Sequence, residues 1–114
     1  MSEYQIYHNP RCSKSRETLE LLTSHGIEPK IIEYLKTPPS ETEILELLEK
    51  LESSPASLVR VKEDLFKDNA FKIETNEEIA RLIAKHPQLM ERPLVVKGHR
   101  AVLGRPPLQV ETLF

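Results

Sequence analysis

The sequence predicts an α/β protein with a mixed four-stranded sheet and a helical insertion over about residues 40–87. Three observations predict it. A strand, a helix and a second strand follow one another from Tyr4 to Tyr34. Helices with clear start signals fill the middle of the chain. Two apolar triplets then flank a glycine-containing turn near the end.

Tyr4 to His8 alternates polar and apolar residues, the period of a half-buried strand. Ser13 to His25 follows as a helix, with Leu19 and Leu22 on one face and Gly26 as its stop. Lys30-Ile31-Ile32-Glu33, within Glu28 to Tyr34, reads as the second strand. A βαβ unit of this size implies parallel strands joined by a right-handed crossover.

Thr37-Pro38-Pro39-Ser40 interrupts that pattern. Ser40 and Glu43 have the spacing of a capping box, and Ile44, Leu48 and Leu51 supply the buried stripe of the helix they open. Ser54-Pro55 predicts a cap and a first-turn proline for a short helix carrying Leu58, Val59 and Arg60. Thr75 and Glu78 form a second capping-box pattern ahead of Ile79, Leu82 and Ile83, in a helix that ends by Pro87. Leu94-Val95-Val96 and Ala101-Val102-Leu103 are two more strands, with Gly98-His99 suited to a two-residue hairpin turn. Pro106 to Leu113 closes the chain as a short helix.

A length of 114 residues suits one domain, 1–114, with a modest core. The formal net charge of −2 argues against broad nucleic-acid binding. No apolar run approaches the roughly 20 residues of a membrane span. The N-terminus lacks a secretory pattern, and with a single cysteine this points to a reducing cytoplasm. No repeat of apolar heptads asks for a partner copy, so a monomer is expected.

That cysteine, Cys12, lies in Tyr7-His8-Asn9-Pro10-Arg11-Cys12-Ser13-Lys14-Ser15-Arg16, where a strand hands over to a helix. Free N–H groups and the positive end of the helix dipole favour its thiolate. His8, Arg11, Lys14 and Arg16 are expected to add positive charge around it. With no second thiol, any redox cycle through Cys12 needs a thiol from another molecule. Arg60, Arg92 and Arg105 stand out elsewhere, because guanidinium groups bind tetrahedral oxyanions through paired hydrogen bonds. Arg92 and Arg105 each precede a proline, and Pro93 is a candidate for a cis peptide bond. A cysteine phosphatase loop of the C-x5-R kind would need arginine at position 18, which is Thr18. One Cys and four scattered His residues show no metal-ligand spacing.

The Cys12 segment resembles that of the glutaredoxin- and glutathione-dependent arsenate reductase (ArsC) family in its short chromosomal form. The resemblance continues through Tyr34-Leu35-Lys36-Thr37-Pro38-Pro39, His86-Pro87, Glu91-Arg92-Pro93-Leu94-Val95-Val96 and Leu103-Gly104-Arg105-Pro106-Pro107. It implies a thioredoxin-like fold with a cis proline at Pro93. It implies catalytic roles for Cys12, His8 and Ser15, with the Ser15 hydroxyl hydrogen-bonding the thiolate, and oxyanion binding by Arg60, Arg92 and Arg105. It further implies arsenate as substrate, glutathione as co-substrate, glutaredoxin as partner and no tightly bound cofactor. The longer C-terminal tail of plasmid-borne members is missing, and Arg11 and Lys14 make the loop more basic than in well-known members. Two alternatives stand beside this reading. One is a thiol-dependent reductase of another oxyanion or of a mixed disulfide. The other is a non-enzymatic redox regulator that binds RNA polymerase, although such regulators usually carry Cys-x-x-Cys and Ser15 occupies the second position here.

Overall fold

The computed structural model describes residues 3–114. Its sheet runs β2-β1-β3-β4, formed by β1 (Tyr4–Tyr7), β2 (Lys30–Ile32), β3 (Leu94–Lys97) and β4 (Arg100–Leu103). β1 and β2 are parallel, with Tyr7 opposite Ile32, and the His8 N–H extends their ladder to the Ile32 carbonyl at 2.8 Å. β1–β3 and β3–β4 are antiparallel, with Tyr7 opposite Leu94 and Leu94 opposite Leu103. This is the expected mixed, thioredoxin-like sheet.

Strand side chains alternate between two faces, and each face has its own apolar cluster. Tyr4, Ile6, Val95 and Val102 pack with Leu22 of α1 (Ser13–Ser24) and with Val110 and Leu113 of a C-terminal 3-10 segment, Pro107–Leu113. Tyr7, Leu94, Val96 and Ala101 face the insertion instead. There they meet Ile44, Leu47 and Leu48 of α2 (Glu41–Lys50) and Ile79, Leu82 and Ile83 of α4 (Asn76–Lys85). Between α2 and α4 lie a 3-10 turn, Pro55–Leu58, and the short α3, Asp64–Lys67, which the sequence pattern did not suggest. Among the described residues no helix is long and apolar enough to cross a membrane.

The helix signals were realised to different degrees. α1 ends in a Schellman arrangement: Gly26 has φ +75°, its N–H meets the Thr23 carbonyl, and the Ile27 N–H meets that of Leu22. At α4 the capping box is complete, with Thr75 and Glu78 each accepting from the other's backbone N–H. At α2 only half forms. Ser40 accepts from the Glu43 N–H, while the Glu43 carboxylate takes the Tyr7 hydroxyl of β1 at 2.5 Å. Leu51 is not part of the helical stripe; it sits at the α2 C-cap and bridges to Ala101. Ser54 makes no side-chain cap, and its turn ends at Leu58, so Val59 is extended and pairs with Met90. That bridge brings Arg60 and Glu91 onto neighbouring segments.

Candidate active site

Cys12 is the N-cap residue of α1, at the C-terminal end of β1. The loop that presents it is tied to itself: the Cys12 N–H reaches the Asn9 carbonyl at 3.0 Å, and the Arg11 N–H reaches Asn9 Oδ1 at 3.0 Å. Arg16 Nη1 donates to the Pro10 carbonyl at 3.0 Å. The thiol is partly exposed.

Burial acts to raise the Cys12 pKa, yet the net shift is downward. The opposing causes, in order, are the Ser15 N–H, the Arg92 guanidinium, the Lys14 N–H and the Arg105 guanidinium. Sulfur makes no formal capping hydrogen bond here, being larger and softer than the oxygen of a Ser or Thr cap, but the first-turn amides still polarise it. The basic side chains near Cys12 in sequence are not what lowers the pKa. Lys14 leans toward Glu17 at 3.8 Å, Arg16 holds the Pro10 carbonyl, and Arg11 is exposed.

His8 and Ser15 are both buried, and His8 Nδ1 lies 2.6 Å from Ser15 Oγ. Ser15 Oγ also accepts from the Asn9 N–H at 3.0 Å. The hydroxyl expected on the thiolate is therefore engaged by His8 and Asn9, and Ser15 serves Cys12 through its backbone N–H. Burial lowers the His8 pKa, against the pull of Glu33 and with the push of Arg16, so His8 is neutral near pH 7 and adds no charge.

Arg105 Nη1 lies 3.9 Å from Cys12 Sγ and donates to the Arg92 carbonyl at 3.2 Å. Glu91 holds both guanidiniums: its Oε1 accepts from Arg92 Nη1 at 3.1 Å and lies 3.6 Å from Arg105 Nε. The Arg92–Pro93 peptide is cis, and so is Arg105–Pro106. Between these segments the Gly104 N–H donates to the Pro93 carbonyl at 2.9 Å. Arg60 is set apart. Its Nη2 pairs with Glu63 at 2.9 Å and its Nη1 meets the Gln88 carbonyl at 3.3 Å. The arginine charges acting on the sulfur are those of Arg92 and Arg105.

The model of the ArsC family matches residues 7–113. The chain belongs to the ArsC family. An arsenate reductase of Neisseria meningitidis is 41% identical, covering 100% of both chains. An Escherichia coli protein named YfgD, whose function is uncharacterized, is 47% identical over 95% of this chain and 93% of its own. The structure of an arsenate reductase from Vibrio cholerae superposes with a TM-score of 0.89 at 42% identity, covering 97% of each chain.

Of the site residues expected from sequence, Cys12, His8, Ser15, Arg92 and Arg105 lie together, while the Arg60 guanidinium is held by Glu63 and the Gln88 carbonyl. Tyr34 is buried within electrostatic range of Arg92, Arg60 and Cys12. Sequence reasoning gave no role to Tyr34 or Glu91, although both stand inside the quoted motifs. The signal for Glu91 was its adjacency to Arg92. A surface cleft of about 390 Å³ borders Arg105, but its lining does not include Cys12. Among the described residues, no three His, Cys, Asp or Glu side chains gather where they could hold a metal ion.

Proposed function

We propose that this protein is an arsenate reductase acting in a reducing cytoplasm with glutathione and glutaredoxin. The Cys12 thiolate attacks arsenic, a sulfur–arsenic bond forms, and one arsenate oxygen leaves as water after protonation. Glutathione then supplies the second thiol. The two sulfurs become a mixed disulfide between Cys12 and glutathione, and the two electrons released take arsenic from the pentavalent to the trivalent state. Glutaredoxin exchanges its own thiol into that disulfide and frees Cys12. Arg92 and Arg105 bind the oxyanion and offset its charge, with Arg60 as the third arginine.

The observation that carries the reading is the approach of Arg105 to a lone thiol at 3.9 Å, with Glu91 fixing both Arg105 and Arg92. A single cysteine also fits an external thiol donor, because no internal disulfide can form. The test is a coupled assay with arsenate, glutathione, glutaredoxin, glutathione reductase and NADPH. Arsenate-dependent NADPH loss that disappears in Cys12→Ser is expected; none in the wild type, at any arsenate concentration, rejects the proposal.

A further inference from the structure

Tyr34 lies two residues beyond β2, and β2 runs parallel to β1. Tyr34 thus lies at the same end of the sheet as Cys12, just past the strand that neighbours β1. It is wholly buried, and its hydroxyl has no hydrogen-bond partner. Buried polar atoms are nearly always paired, so an orphan needs a reason. Arg92 Nε is the other buried side-chain atom without a partner among the described residues, and Arg92 is one of the two arginines acting on Cys12. Asn9 is the polar neighbour of the Tyr34 hydroxyl; its Oδ1 accepts from the Arg11 N–H, so what it can offer Tyr34 is an amide N–H, which leaves the Tyr34 proton without an acceptor.

From these two unpartnered donors beside the thiol, we propose that the Tyr34 hydroxyl is a substrate-binding group. It donates a hydrogen bond to one oxygen of the tetrahedral oxyanion, while Arg92 Nε donates to the same ligand. Burial raises the pKa of Tyr34, so it remains a neutral donor at physiological pH. A neutral donor adds orientation without adding charge to a site that already has arginines, and a resting orphan is matched when an oxyanion arrives. No proton is transferred in this role. The inference rests on the oxyanion reading given above.

Arsenate titration of the Cys12→Ser protein, with and without Tyr34→Phe, tests it. Loss of one hydrogen bond to a charged oxygen should weaken arsenate binding roughly tenfold or more. The ligand-free melting temperature of Tyr34→Phe should equal or exceed that of its parent, because the substitution removes a buried hydroxyl that nothing pairs. Equal affinity with and without the hydroxyl overturns the proposal, and so does a lower melting temperature, which would mean a structural partner within the protein. Normal arsenate turnover by Tyr34→Phe with Cys12 intact overturns this inference alone. A parent protein that neither binds nor reduces arsenate overturns both this inference and the reading beneath it.

Discussion

Gly104 joins the fold to the chemistry, and substituting it gives a prediction that can be worked through. It follows β4 and directly precedes Arg105, whose guanidinium stands beside Cys12. Its backbone does not need glycine, since its φ lies outside the left-handed region. Its surroundings do. A Cβ built there would lie 2.6 Å from Thr18 Oγ1, 2.8 Å from Pro93 Cγ and 3.1 Å from Thr18 Cγ2. Neither neighbour can move away cheaply. Thr18 is fully buried with its hydroxyl on the Lys14 carbonyl at 2.8 Å, and the Pro93 ring is fixed to the backbone at the start of β3.

Gly104→Ala is therefore an overpacking change costing about 1–3 kcal/mol, offset by about 0.4–1 kcal/mol from reduced freedom of the unfolded chain. The net is a destabilisation of about 0 to 2.6 kcal/mol, centred near ~1.3 kcal/mol, or a fall of up to about 10 °C in Tm for a domain near this size. Scanning calorimetry measures it. Combined with Thr18→Ala, which removes both threonine contacts and leaves the proline one, the cost should be smaller than the sum of the single changes. The backbone shift should also carry Arg105 away from the sulfur and raise the pH at which Cys12 alkylates. A Gly104→Ala protein more stable than wild type, or strict additivity with Thr18→Ala, would refute the reasoning.

The arginines and the histidine give two further predictions. Arg92→Ala and Arg105→Ala should each raise the midpoint of the pH profile for Cys12 alkylation by iodoacetamide, whereas Arg60→Ala should leave it in place; a shift in Arg60→Ala alone would contradict the assignment. In the arsenate assay Arg92→Ala and Arg105→Ala should each lower kcat/KM on the order of 10- to 100-fold, one lost charge-assisted contact apiece. Because the folded protein holds His8 below its ordinary pKa, the unfolded chain binds the extra proton first. Stability should therefore fall as pH drops from about 6.5 toward the folded pKa of His8. His8→Gln should flatten that slope in urea titrations between pH 7 and 5, and an unchanged slope would place the titrating group elsewhere.

The contrast between the two capping boxes shows how far local pattern reaches. Thr75 and Glu78 form theirs in full because Glu78 Oε1 meets the Glu74 and Thr75 N–H groups and, among the described residues, no remote side chain competes for it. Ser40 and Glu43 have the same spacing, but a tyrosine from a strand 36 positions away captures the carboxylate. The strands, α1 and the hairpin were legible because alternation, helical spacing and the glycines at 26 and 98 are local signals, and both glycines do take positive φ. The close approach at Gly104 was not legible, since its cause is a threonine on another element. The charge around Cys12 divides the same way. Neighbours in sequence pointed to a basic loop, yet Lys14 and Arg16 spend their charge on Glu17 and a carbonyl.

Beside the Ser15 and Lys14 N–H groups, Arg92 and Arg105 supply the side-chain charge that the loop's own basic residues do not, and Glu91 holds both. Arg92 and Arg105 bring two positive charges, Glu91 removes one, and a Cys12 thiolate balances the other. The resting cluster is thus close to neutral and has little pull on a third guanidinium. Arg60 is correspondingly satisfied elsewhere, by Glu63 at 2.9 Å and the Gln88 carbonyl. A charge-balanced site of this kind favours the thiolate before any ligand arrives. Further negative charge entering the site would act on Arg60 as well, and Tyr34 lies within electrostatic range of both Arg60 and the sulfur.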